Sequence, residues 1–186
     1  MEEDNFMPMP MNMIKSNISL LLITVSLSGL FFAPAAKAGT PEDRVKTAIV
    51  YKITKFVTWP KKKQSLTLCI LGEGSINSEL IKINRKSSMG RRLSVTHKDL
   101  NAPVGKLCDI LYLHSIDQAS SSKITSSLQG KPILTISDNR SFAEQGGLIG
   151  LARQGKKINF TINKSSVDAS GLNISSQLMS LAKVIE

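Results

Sequence analysis

Three short apolar runs constrain this chain most: Leu66–Leu71 (LTLCIL), Cys108–Leu113 (CDILYL) and Lys131–Ser137 (KPILTIS). Each has the length and composition of a buried strand. Helix-forming segments lie around them. Thr40-Pro41-Glu42-Asp43 is a helix start, with a capping hydroxyl, Pro at the first helical position and acids in the first turn. Val45, Ile49, Ile53 and Phe56 follow at helical spacing, which predicts a helix ending at Trp59-Pro60, where the residue before Pro leaves the helical region. Ser75–Asn84 predicts a helix with Ile76, Leu80 and Ile83 on one face, Arg91–Thr96 a strand, and Asp117–Leu128 a polar helix. Ser141–Gln145 can form one helical turn before Gly146-Gly147. Leu148–Arg153 and Lys156–Ile162 predict a hairpin turning at Gln154-Gly155, with Ile158, Phe160 and Ile162 on its buried face. Lys164–Ala169 predicts a short helix stopped by Gly171, and Leu172–Val184 a last helix carrying Ile174, Leu178, Leu181 and Val184. The order predicts an α/β fold: a single layered domain, with a mixed β-sheet flanked by helices and a C-terminal hairpin plus helices.

The first forty residues set the compartment. Lys15 gives a positive start, Ile18–Phe32 is uncharged and mostly apolar, Pro34 breaks the run, and Ala36-Lys37-Ala38 offers the small residues a signal peptidase reads. The run is about 15 residues, short of the ~20 that span a bilayer as a helix. The expectation is a signal peptide over 1–38, cleaved after Ala38, and a folded domain over 39–186, a length that suits one core. No Cys follows Ala38, which argues against a lipid anchor. Glu2, Glu3 and Asp4 are unusual in a leader; a start at Met11 or Met13 would remove them. The two cysteines, Cys69 and Cys108, are an even count in an exported chain and favour a disulfide. The net charge of +10 suits an acidic partner, anionic lipid or peptidoglycan, or serves solubility alone.

Chemical motifs are weak. Ser120-Ser121-Ser122-Lys123 and Ser137-Asp138-Asn139 match S-x-x-K and S-D-N, but they sit too close together, K-T-G is absent, and the chain is too short for that enzyme fold. Gly72-Glu73-Gly74 follows a strand, but Asn77 stands where a phosphate-binding loop needs its third Gly. His97 and His114 are the only histidines; they lack zinc-site spacing, and no nucleophile elbow is present. The basic runs Lys61–Lys63 and Arg85–Arg92 lack interleaved aromatics, which argues against nucleic acid. No enzyme, metal or cofactor is expected.

Val45–Pro60 (VKTAIVYKITKFVTWP) resembles the opening of the YfiR family. Leu66–Gly72 is similar to that family's first strand. Gly130–Asp138 (GKPILTISD) with Phe142–Gly147 (FAEQGG) resembles its most distinctive block, and Gly171–Leu178 (GLNISSQL) its closing segment. The resemblance implies a dimeric periplasmic repressor without catalytic residues. Such a repressor binds the periplasmic region of an inner-membrane diguanylate cyclase and is sequestered by an outer-membrane, peptidoglycan-binding lipoprotein, so that it controls cyclic di-GMP and biofilm formation. Cys69 and Cys108 match the family's structural disulfide. A second pair found in some members falls on Ala143 and Gly150 here, so redox sensing through that block is in doubt. The family's apolar partner groove implies Val167, Leu172, Ile174 and Met179 as partner-binding residues, each of which could equally be core. The alternative reading is a periplasmic small-molecule sensor; a catalytic domain is third.

Overall fold

A computed structural model describes residues 38–186. The predicted leader lies outside the described residues except for Ala38. Thr40 caps helix α1 (Pro41–Ile53): its Oγ1 accepts from the Asp43 N–H at 3.1 Å, and Asp43 Oδ2 accepts from the Thr40 N–H at 2.9 Å. The buried face of α1 carries Asp43, Thr47, Val50 and Ile53, while Val45 is 49% exposed. The face is therefore rotated from the one the apolar spacing predicts, because it meets polar partners as well as core. The helix also stops earlier than expected. A 3-10 turn at Thr54–Phe56 leads into strand β1 (Val57–Thr58), because the backbone there pairs with a distant strand and Phe56 O accepts from the Ser175 N–H at 2.9 Å.

Strand β2 (Ser65–Leu71) follows, then α2 (Ile76–Ile81), β3 (Ser87–Ser88) and β4 (Arg91–Lys98). Ile76, Leu80 and Ile83 are buried as expected. A short helix α3 (Val104–Leu107), unforeseen, leads into β5 (Ile110–Leu113). Helix α4 (Gln118–Ser127) is capped by Asp117, which accepts from the Ser120 N–H at 2.9 Å. Strand β6 (Leu134–Ser137) precedes a single turn in which the Gln145 N–H donates to Ser141 O at 3.0 Å.

Strands β7 (Ile149–Gln154) and β8 (Lys157–Asn163) form the predicted hairpin. Gln154 pairs with Lys157, so the turn is Gly155-Lys156, one residue later than predicted, with Gly155 at φ 60. Helix α5 (Lys164–Ser170) ends at Gly171, whose φ of 71 is the left-handed cap that glycine adopts without strain.

The predicted helix over Leu172–Val184 does not form. The segment is β9 (Asn173–Ile174), a four-residue helix α6 (Ser176–Met179) and β10 (Lys183–Ile185). Ile174 pairs with Val57, and Val184 pairs with Ile162 of β8. Sheet pairing at both ends overrides the helical spacing of the apolar residues, leaving Leu181 69% and Val184 41% exposed.

The eight-stranded sheet has the order β10-β8-β7-β6-β5-β2-β4-β3; β1 and β9 form a separate antiparallel pair. From β4 to β7 neighbouring strands are parallel, while β7–β8 and β3–β4 are antiparallel. Parallel strands need cover on both faces. Successive side chains of β2 and β5 supply two cores. Leu66, Leu68, Ile70, Ile110 and Tyr112 face one layer with α1 and α2 residues. Cys69, Leu71, Leu111 and Leu113 face the other with Val104, Leu128 and Phe142. Cys69 and Cys108 are joined in that second layer, with Cα atoms 5.8 Å apart. Among the described residues no helix is long and apolar enough to cross a membrane.

The bond joins residues 39 apart in sequence. Loop-closure entropy for that span is worth about 4 kcal/mol. Cys69→Ser is expected to lower stability by a few kcal/mol in oxidising buffer, and reductant to lower the melting temperature of the wild type but not of the variant. Wild-type melting that ignores reductant would count against this.

Candidate functional site

Strands β2, β5 and β6 end side by side, releasing Gly72, His114 and Asp138 on one rim of the sheet. The chain runs from β2 to β4 on one side and then to β5 on the other, so this rim is the point where strand order reverses. In open α/β sheets such a point leaves a crevice beyond the carboxyl ends. Here it is occupied by side chains. His114 Nδ1 lies 2.8 Å from Asp138 Oδ2, and the Lys46 ammonium donates to that same oxygen at 3.0 Å. Lys46 also pairs with Glu42 at 2.9 Å, and Glu42 with the Arg153 guanidinium at 3.0 Å. One chain of charges thus links α1, β5, β6 and β7.

Burial alone would push the Asp138 carboxyl up, but hydrogen bonds and charge from His114 and Lys46 outweigh it and hold it below the usual carboxylate range. The Tyr112 hydroxyl, buried beside this cluster, is pushed far up by burial first and then by the charges of Asp138, Asp43 and Glu42. It stays protonated. The Tyr112 hydroxyl and Thr47 Oγ1 are buried without a protein hydrogen-bond partner.

The rim explains Gly72-Glu73-Gly74. A Cβ on Gly72 would collide with the His114 carbonyl, and one on Gly74 with the His114 ring. Gly72 also has φ 92. The glycines admit the end of β5, and Asn77 Nδ2 donates to Gly72 O at 2.9 Å, closing the turn. The other motifs prove local. The Ser120 N–H is a cap donor, and Ser137 Oγ accepts from the Asn139 N–H at 3.1 Å. Among the described residues no three His, Cys, Asp or Glu side chains are grouped to hold a metal.

The partner-binding residues implied by the resemblance lie together at the other end of the chain, at two depths. Val167 on α5 and Leu172 are buried, at 4% and 6% exposure. Ile174 on β9 and Met179 on α6 are half-buried and pack against the same core. Asn163 holds this region to the Gly-Gly block: its Oδ1 caps α5 by accepting from the Ser166 N–H at 2.8 Å, and its Nδ2 donates to Ala143 O at 2.8 Å. Ala143 and Gly150 are adjacent, since a Cβ on Gly150 would sit 3.4 Å from Ala143 N. Between α4 and α5 opens a cavity of about 350 Å³ lined by Thr125, Leu128, Ile133, Leu148, Ser166 and Ala169, among others.

The sequence reading does not include the charged rim. Its signal was present: His114 and Asp138 each follow an apolar run, so both sit at carboxyl ends of predicted strands. Lys46 and Arg153 carried no such signal, because only the fold brings them there.

Sheet order and two-faced cover define a doubly wound α/β domain whose conspicuous charged residues are engaged with one another. The family model described as YfiR/HmsC-like matches residues 43–183, and the chain belongs to that family. The fold is also similar to the crystal structure of a conserved domain protein from Vibrio cholerae O1 biovar El Tor strain N16961, with a TM-score of 0.54 and 11% identity over 80% of this chain. This chain spans 61% of that one. That likeness concerns the fold alone.

Asp138→Asn removes the charge that Lys46 and His114 share. The expected loss is about 2–3 kcal/mol at neutral pH, since it leaves a half-buried ammonium with one partner instead of two. The Asp138 value is lower folded than unfolded, so its contribution is present above about pH 4 and lost as pH falls through the folded value. The stability gap between wild type and variant, measured by denaturant unfolding, should therefore close below about pH 4.

Proposed function

We propose that this chain is exported, cleaved after Ala38, and acts in the periplasm as a negative regulator. In this reading it binds the periplasmic sensor region of an inner-membrane diguanylate cyclase and holds the cyclase inactive. An outer-membrane, peptidoglycan-binding lipoprotein competes for it, and the regulator works as a homodimer. Membership of the YfiR/HmsC-like family across residues 43–183 carries the proposal. The Cys69–Cys108 bond supports an oxidising compartment.

The mechanism needs no covalent chemistry. A protein that binds only the inactive cyclase shifts it by its differential affinity, and a competitor for the regulator reverses the shift. The net charge of +10 supports encounter with an acidic face. Ile174 and Met179 would make the outer contact, with Val167 and Leu172 forming the floor behind them.

Deleting the gene is expected to raise cyclic di-GMP and surface attachment; unchanged cyclic di-GMP in a strain shown to express the protein would refute the proposal. A Met179→Glu allele should fail to restore low cyclic di-GMP in the deletion strain even when expressed to the wild-type protein level, at a modest cost in melting temperature because Met179 packs against the core. Full complementation would remove Met179 from the contact.

A second reading, a periplasmic small-molecule sensor, is favoured by the cavity between α4 and α5, whose volume falls within the range of ligand pockets. A thermal-shift screen separates the two: melting raised by a small molecule without any cyclase supports the sensor.

A further inference from the structure

Gly39 runs so close to the Glu79 side chain that any larger residue would force that side chain to move. A Cβ on Gly39 would lie 2.5 Å from Glu79 Oε1 and would collide with the rest of that side chain. The Gly39 nitrogen shares its Cα with that Cβ position, which puts it within about 5 Å of the same carboxylate oxygen. The Glu79 side chain, on α2, is only 6% exposed. Its ionic partner is Lys82, 2.6 Å away on the same helix, whose own side chain is 65% exposed. A carboxylate so buried is held mainly by a cation at the solvent boundary. The neighbouring backbone is fixed from two sides, because Asp43 Oδ2 accepts both the Thr40 N–H at 2.9 Å and the Ser75 hydroxyl at 2.7 Å.

In the uncleaved chain the Gly39 nitrogen is a neutral amide. Hydrolysis by a leader peptidase breaks the bond from the Ala38 carbonyl carbon to the Gly39 nitrogen. The water oxygen goes to the Ala38 carboxylate, and the protons complete the Gly39 ammonium. We propose that leader cleavage creates an ion pair between the Gly39 α-ammonium and the Glu79 carboxylate, so that α2 carries a buried receptor for the chain's own new N-terminus. This rests on the export and cleavage proposed above. The pair would tie the start of α1 to α2 in the processed protein alone, making the domain more stable after export than before it.

Lys82 on α2 is the cation on Glu79, and Asp43, the acid of the α1 capping box, is engaged with Thr40 and Ser75. A free α-amine titrates near ~8. Pairing raises the folded value above that. The stabilisation is therefore complete below the unfolded value and lost as pH rises through the folded one.

The test uses the protein secreted by its own leader, with its N-terminus read by mass spectrometry. It is compared with a variant carrying Ala-Ser inserted between Ala38 and Gly39, each with and without Glu79→Gln. The expected result is a melting temperature about 3 °C higher for the uninserted protein at pH 7. The gap should vanish at high pH and be absent in the Glu79→Gln background. No gap, or one that persists at high pH or without Glu79, overturns the ion pair. If the insertion blocks secretion, the acylation rate of the native α-amine decides: at least tenfold slower in wild type than in Glu79→Gln supports the pair, and equal rates overturn it. A mature chain starting elsewhere than Gly39 overturns the cleavage reading and the pair together. A Gly39 start without a gap overturns the pair alone.

Discussion

Burial of the central strands on both faces is the constraint from which the rest of the domain follows. Every residue of β5 and β6 is buried, and so are the last four of β2. A fully buried Leu or Ile contributes about 1.5–3 kcal/mol, so these short strands hold much of the fold's driving force. Because they are parallel, each must be followed by a crossover, and the crossovers become the cover. Helices α1 and α2 close one layer, and α3, α4 and the loop carrying Phe142 close the other. The disulfide belongs to this scheme: Cys69 and Cys108 take core positions, where sulfur packs as an apolar group.

The same topology accounts for the polar rim. Strands that end together release their next residues together, and here those residues are Gly72, His114 and Asp138. In many α/β proteins that crevice receives a ligand. In this chain Gly72 and Gly74 let the end of β5 press in, while Lys46 reaches from α1 to the Asp138 carboxylate. A place open to chemistry elsewhere becomes a bracket that fixes the first helix to the sheet.

Much of this was legible in the residues. The three apolar runs, the Thr40 cap, the Asp117 helix, the Gly171 stop and the hairpin all stand where local chemistry puts them. The departures arise where a residue's partner is not its sequence neighbour. The segment after Leu172 has helical spacing, yet β9 finds Val57 and β10 finds β8, contacts that no local pattern announces; Val45 turns outward because α1 buries Asp43 and Thr47 along with Val50 and Ile53. The hairpin turn falls one residue after the predicted Gln154-Gly155, because Gln154 makes the last pair of β7 with Lys157. The charged network escaped for a related reason. Lys46 and Asp138 are 92 residues apart, and only the sheet order makes them neighbours.

The disulfide also makes the sheet mechanically lopsided. Its loop encloses β3 and β4, so that margin, when it opens, stays a closed loop anchored at β2 and at the start of β5 and gains less chain entropy. The opposite margin, from β7 to β10, has no covalent stitch among the described residues and finishes in a three-residue strand. Transient opening is therefore expected to start there, with amide exchange grading from slow at β2 and β5 to fast at β10. The frayable margin is also the one beside β9 and α6. A partner that grips Ile174 and Met179 would be holding the domain by its softest side.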